Sequence, residues 1–185
     1  GWALARWRRA RPRSLLDNDP LSELLSQLID FDRLPHLMAE GHLHGIAVSA
    51  SSYTTGEHVT FYDSAEPVHT WTRSQRISVH ERITLEHLMA SSAIPFVFPA
   101  VKLGVQGHAQ YFGDGSMRQS APMSPAIHLG ADRVLVIGAG RLHEPQTPRE
   151  TLVEYPNLAQ VAGHAMSSIF LDALAVDIER TQRIN

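Results

Sequence analysis

The chain has 185 residues, 43% of them hydrophobic and 19% charged, with a formal net charge of -3 at pH 7. That suffices for one domain with a substantial core, and it argues against disorder and against whole-chain attraction to nucleic acid or an anionic membrane. The absence of cysteine rules out disulfides, thiolate metal sites and a cysteine nucleophile, and no apolar run approaches the ~20 residues that a spanning helix needs.

Residues 1–14 form an Arg-rich N-terminal arm, with Arg6, Arg8, Arg9, Arg11 and Arg13 beside Trp2, Leu4 and Trp7. It reads as a solvated arm or the tail of a longer helix or, more sharply, as a membrane-surface helix. No apolar stretch follows it, so it is not a secretory signal. The chain opens on Gly1 rather than Met, in the middle of what reads as structure, and a fragment of a longer protein is expected. Asp19-Pro20 followed by Leu21, Leu24, Leu25 and Leu28 predicts an amphipathic helix with Pro at its first position. A second helix is expected from Phe31 to Ala39, ended by Gly41.

From Gly45 the periodicity changes. Ile46 to Tyr53 and His58 to Tyr62 are β-rich runs on either side of Thr54, Thr55, Gly56 and Glu57, a strand-turn-strand pattern. Residues 63 to 76 read as loop. Thr84 can cap a short helix holding Leu85, Leu88 and Met89. Pro99 and Gly104 interrupt Phe96 to Val105, so a strand there is short or at an edge. Ala109 to Phe112 reads as a strand ending at Gly113-Asp114-Gly115. Ser124 and Pro125 open a helix through Leu129, with Gly130 after it. Val134 to Ile137 is a continuous apolar run that suits a strand buried on both faces of a parallel sheet. A Pro-rich loop over 139–157 and one long helix from Leu158 to Ile184 complete the chain, and Met166, Ile169, Phe170, Leu171, Leu174 and Ile178 give that helix a core-packing stripe. Helices alternating with strands argue for an α/β layered fold whose strands are few for its length.

Asp114 is the residue of chemical interest. Glycines on both sides allow a sharp turn and a close approach of another segment. A carboxylate at the C-terminal end of a strand lies where open α/β sheets place their sites. Asp-Gly is also a common turn pair, so the local pattern alone leaves a turn aspartate open. The stretch Ala90-Ser91-Ser92-Ala93-Ile94-Pro95-Phe96-Val97-Phe98-Pro99-Ala100 reads as a packing corner or as the wall of an acyl pocket.

The Ser-Ala-Ile-Pro block at 92–95, Phe112-Gly113-Asp114-Gly115 and the run from Ser124 to Gly138 occur in an order that resembles the later half of a patatin-like phospholipase domain of bacterial type, over roughly residues 15 to 140. The resemblance implies a three-layer α/β sheet with helices on both faces, and residues 15–185 would be the C-terminal portion of one such domain. It also implies a serine lipid-acyl hydrolase, a phospholipase or esterase, working through a Ser–Asp dyad without metal or organic cofactor. By motif match the dyad aspartate is Asp114. An alcohol needs a positioned base, and the oxyanion of its tetrahedral intermediate needs hydrogen-bond donors.

The sequence departs from that pattern in one large respect. It contains no Gly-x-Ser-x-Gly elbow and no glycine-rich oxyanion loop. Ser91, Ser92 and Ser116 are the hydroxyls in suggestive places, and none sits in a strand-to-helix elbow. Ser116 also stands where the family has Gly or Ala, and Gln119-Ser120-Ala121-Pro122 where Asn-Asn-Pro is usual. The expected partners are therefore an acyl lipid or phospholipid substrate and a missing N-terminal half bearing the first strands and the serine. The chain by itself is expected to be inactive. A homo-oligomer paired through an exposed sheet edge is a further expectation. The alternative function is a non-catalytic lipid-binding or scaffold domain of the same fold, and a third is an unrelated α/β enzyme in which Asp114 is a turn residue.

Of the 11 histidines, His42-Leu43-His44 and His80-Glu81 lack metal-site spacing, and Gly138-Ala139-Gly140 lacks the third glycine of a dinucleotide loop. No metal and no nucleic acid is expected. The compartment expected is soluble, cytoplasmic or peripheral to a membrane.

Overall fold

A computed structural model describes residues 14–119, 121–137, 157, 158, 160, 161 and 163. The Arg-rich arm, the Gly138-Ala139-Gly140 segment, the Pro-rich loop and the long C-terminal helix lie outside these residues, apart from those few positions.

Helix α1 (Asp19–Leu28) starts after Asn18, so Asp19 takes the first helical position and Pro20 follows it. Pro costs nothing there, because the first-turn N–H groups have no helical acceptor. No residue of α1 is buried, and Leu24 and Leu28 are 51% and 71% exposed. The helix expected over 31–39 occurs in two pieces, a 3-10 helix at Phe31–Arg33 and helix α2 (Leu34–Ala39). Pro35 explains the break, since its ring cannot continue a helix but suits the first turn of a new one.

Strands β1 (Gly45–Ser52) and β2 (His58–Ser64) form an antiparallel hairpin with Ala47 opposite Tyr62 and Ser51 opposite His58. Ser52 shapes the turn by accepting the N–H groups of Thr54 and Thr55 at 3.2 and 3.1 Å. The loop expected over 63–76 is shorter than the sequence suggested. β2 runs to Ser64, and β3 (Thr72–Arg73) and β4 (Arg76–His80) follow closely. Arg76, Ser78 and His80 hide the alternation of Ile77 and Val79, which the core recognises by pairing β4 parallel to β2, Val59 opposite Ile77 and Phe61 opposite Val79.

Helix α3 (Leu85–Ser91) begins at Thr84. The Thr84 N–H donates to His87 Nδ1 at 3.1 Å, and the Thr84 hydroxyl donates to Glu86 at 2.6 Å. Strands β5 (Val101–Val105) and β6 (His108–Asp114) make a second antiparallel hairpin. The full order is β3-β4-β2-β1-β6-β5, so β5 is at an edge, as Pro99 and Gly104 suggest. A 3-10 helix at Gly115–Arg118 and helix α4 (Ser124–His128) follow, and Gly130 takes a φ of +85° after α4.

Successive strand residues face opposite sides of a sheet, and the two sides are dressed differently. Phe61 lies edge-on to His87 of α3 and to Phe112, at ring distances of 4.6 and 5.5 Å. Its neighbour Tyr62 stacks on Trp71, and Trp71 stacks on His128 of α4 at 4.4 Å. α3 thus covers one face and α4 lies over the other. This is the layered α/β arrangement with helices on both faces, built on a mixed sheet of six strands in which one neighbouring pair is parallel.

One expected strand does not form. Val134–Ile137 has no strand conformation, and Val134, Leu135 and Ile137 are 42%, 87% and 89% exposed. An apolar run becomes a buried strand only where a neighbouring edge receives it, and no described strand pairs with this one.

The core centres on Ala50, Val59, Phe61, Ile83, Ala90 and Phe112, each fully shielded from solvent. Phe61→Ala removes the ring that joins α3 to the sheet and should cost about 3–5 kcal/mol, seen as a lower urea midpoint. A change below ~1 kcal/mol would mean that the ring is not packed as described.

Candidate active site

β6 ends where its pairing with β1 ends. Phe112, Gly113 and Asp114 lie opposite Ser52, Ser51 and Ala50, and the chain then turns into the 3-10 helix. The turn has a steric cause. A Cβ built on Gly115 would stand 2.1 Å from the Ser49 carbonyl oxygen, closer than any side chain permits. On Gly113 it would stand 2.1 Å from the Tyr53 hydroxyl. Both glycines flanking Asp114 are needed for close approach, at conventional negative φ.

Asp114 is half-buried and firmly held. Its N–H donates to the Ala93 carbonyl at 2.9 Å, which ties it to the loop after α3. Its Oδ1 accepts the Ser116 N–H at 2.8 Å and the Ser116 hydroxyl at 2.7 Å. The aspartate thereby caps the 3-10 helix. No described residue donates to its second oxygen.

That carboxylate opens on a groove of about 840 Å³. The groove is lined by residues 45 and 47–49 of β1, by Leu88, Ser91 and Ser92 on the α3 side, and by Pro122, Pro125 and Leu129 on the α4 side. Asp114 is the one formally charged residue among the described residues that line it. The structure therefore brings Ser91, Ser92, Ser116 and Asp114 to one hollow. Ser92 Oγ is turned back onto the helix, donating to the Leu88 carbonyl at 2.9 Å. Phe96 takes no part in the wall. It is 76% exposed, at a left-handed φ of 66°.

Two neighbours of Asp114 were not legible in the sequence. Tyr53 lies over Gly113, and its phenol is held above the ordinary value by burial and by the Asp114 charge. His58 is buried with Nδ1 unpartnered, as is the adjacent Ser51 hydroxyl. Burial, helped by the Arg76 charge, pushes His58 from 6.5 down to about 4 against a hydrogen bond with the Gly115 backbone. Hairpin register could have paired Ser51 with His58. Nothing in the sequence says that β6 would arrive on the other side of β1. Among the described residues no three His, Asp or Glu side chains gather as metal ligands, and no helix is long and apolar enough to cross a membrane.

Gly115→Ala must displace the Ser49 backbone and should cost about 1–3 kcal/mol in urea unfolding. Gly113→Ala should cost less, because the Tyr53 ring can swing outward. Equal, negligible losses would contradict the close approach at Gly115. His58 sets a pH dependence. Its folded pKa lies below its unfolded one, so the unfolded chain binds more protons between pH 6.5 and about 4. The stability present above pH 6.5 is lost as pH falls through that window, by ~3 kcal/mol for this residue. His87 and His128, also lowered by burial, act in the same sense. Urea midpoints at pH 7 and 4.5 should therefore converge in His58→Gln, and an undiminished gap would remove His58 as a cause.

No curated protein and no solved structure matches the chain. A family match spans residues 1–127, more than half of the chain, and its description is patatin-like phospholipase. It takes in both strand hairpins, the Ser-Ala-Ile-Pro block, Asp114 and most of α4. On that match, and with a helix-covered sheet that presents Asp114 to a groove at a strand end, the chain belongs to the patatin-like phospholipases, a family of lipid acyl hydrolases.

Proposed function

We propose that this chain supplies the general base, Asp114, of a serine lipid-acyl hydrolase whose nucleophile lies on a segment outside these 185 residues. The observation that carries the reading is the half-satisfied carboxylate. Ser116 occupies Oδ1, and the other oxygen has no described partner beside an open groove.

The chemistry follows from that arrangement. The nucleophilic hydroxyl gives its proton to the free carboxylate oxygen as it attacks the ester carbonyl of an acyl lipid or phospholipid. The tetrahedral intermediate collapses to an acyl-enzyme and the alcohol leaves with the proton from Asp114. Water repeats the sequence to release the fatty acid. The base is already oriented, since the Ala93 carbonyl fixes its backbone and Ser116 its side chain. Pre-set orientation of this kind removes entropy from the barrier.

Ser116 is an unconvincing nucleophile despite its short bond to Asp114. The same oxygen also takes its N–H, two residues on, which is the pattern of a local cap. Ser116 follows the carboxylate into a 3-10 helix rather than standing at a strand-to-helix elbow. The sequence contains no Gly-x-Ser-x-Gly anywhere.

In a polypeptide that joins these residues to the serine elbow, Asp114→Asn should lower nitrophenyl-ester hydrolysis by about 10³–10⁴-fold with the fold retained, the scale of losing a triad partner in other serine hydrolases. Normal turnover by that variant would overturn the reading. A fluorophosphonate probe should leave the 185-residue chain unlabelled, and strong labelling would put the nucleophile within it.

A further inference from the structure

Strand register sets five residues in one row across the sheet. Arg73 of β3 lies opposite Arg76 of β4, Arg76 opposite His58 of β2, His58 opposite Ser51 of β1, and Ser51 opposite Gly113 of β6. His58 has the parity of Tyr62 in β2, so the row lies on the α4 face. No carboxylate stands in it. The turn at Ser74-Gln75, with Gln75 at a left-handed φ of 59°, fixes Arg73 and Arg76 opposite each other. Like charges so placed on two strands are destabilising. Arg82 finds Asp32 at 2.6 Å, whereas Arg73 and Arg76 form no ion pair among the described residues.

A small hollow adjoins this row. Arg73, Arg76 and His58 line it from the sheet, and Gln119 and Ser124 line it from the chain that leads into α4. It encloses about 20 Å³, room for one oxygen-sized group and not for an acyl chain. No Asp or Glu is among the described residues that line it. His58 is 4% exposed and its Nδ1 has no partner, since the bond with the Gly115 backbone engages the other ring nitrogen. Arg73 commits one N–H to the Thr72 carbonyl at 3.1 Å and keeps the rest of its fork. The Arg76 side chain has no hydrogen bond among the described residues.

We infer that Arg73 and Arg76 seat a phosphoryl group, which sets one oxygen in the hollow beside His58 and presents the others to the two guanidinium groups. Charge and shape both select it. Two opposed cations are relieved by an anion that reaches both, and a tetrahedral group has an oxygen for each and one more for the hollow. A carboxylate has two oxygens and a single charge. The planar guanidinium fork suits paired phosphate oxygens. Gln119 and Pro125 line both this hollow and the groove beside Asp114, so the seat stands next to that groove. Where the phosphoryl group belongs to a lipid, its acyl chains lie in the groove, and this last point alone rests on the hydrolase reading above.

Titration of the 185-residue chain with inorganic phosphate, at an ionic strength held constant with chloride, tests the seat through the ring resonances of His58 and His128. After burial, the Arg76 charge is what lowers His58, and the Arg73 and Arg76 charges are what lower His128, so an anion on the arginines is felt at both rings. The shifts should saturate. Arg73→Gln and Arg76→Gln should each weaken binding by about tenfold or more, the loss of a charge-assisted pair. Arg73 is exposed on a two-residue edge strand, so its replacement leaves the core untouched. Shifts that never saturate, undiminished binding by the Arg73→Gln, Arg76→Gln double variant, or acetate bound as tightly as phosphate would each overturn the inference. Dihexanoyl phosphatidylglycerol separates the two sources of the group. A lipid head group is the source if this lipid binds about tenfold or more tighter than phosphate and also shifts Leu88 and Leu129 in the groove. Free phosphate is the source if it binds no tighter and leaves them unmoved. Asp114→Asn should leave phosphate binding unchanged, so the seat and the dyad stand or fall separately.

Discussion

The contact on which the site depends is the approach of Gly115 to the Ser49 carbonyl. No side chain could stand between them, as a Cβ would lie 2.1 Å from the oxygen. The approach lets β6 pair with β1 as far as Ala50 and then leave the sheet at once. Had β6 continued, its backbone would occupy the groove and Asp114 would sit in mid-strand. Because it departs, the carboxylate faces open volume, and the first residues of the 3-10 helix supply the N–H and hydroxyl that hold it.

Holding a carboxylate in this way serves two ends. A half-buried charge needs hydrogen bonds to offset lost hydration, and Ser116 provides both from two residues away. The same bonds engage a single oxygen. The Ala93 carbonyl adds a third tie, from the Asp114 backbone to the loop after α3. The side chain is therefore positioned by α3, β6 and the 3-10 helix together, all of which pack on β1 or its neighbours. A carboxylate with such anchoring has little freedom left to lose, which is what the proposed role as a base would require.

The two faces of the sheet divide the work. On the α3 face, Phe61, Phe112, Val59 and Ala50 are sealed from solvent and supply the burial that holds the fold. On the α4 face, the Tyr62–Trp71–His128 stack is thinner, and buried polar groups such as His58 and Ser51 lie nearby without full hydrogen bonding. The groove runs between these layers beside β1. Among the described residues, the sealed apolar packing lies on the α3 face, and the groove lies beside the part of β1 that β6 does not reach.

Much of the fold was legible in local chemistry. Asp19-Pro20 marks a helix start because first-turn N–H groups need no helical partner, Thr54, Thr55, Gly56 and Glu57 mark the first hairpin's turn, Thr84 starts α3, and Pro99 with Gly104 confines β5 to an edge. Asp114 could be singled out because glycines flank it at a strand end, and its family because the Ser-Ala-Ile-Pro and Asp-Gly blocks occur in order. Local chemistry failed where a neighbour decides. Arg76–His80 became a strand because Val59 and Phe61 offer Ile77 and Val79 a place, and Val134–Ile137, which pairs with no described strand, did not. Tyr53 and His58, which reach the site through the pairing of β1 with β2 and β6, belong to the same class. Turns and caps are set by residues within a few positions of each other, whereas strand pairing is set by which edges meet across the whole chain. The sequence by itself therefore determined the punctuation and the carboxylate, and only the tertiary structure decided what that carboxylate faces.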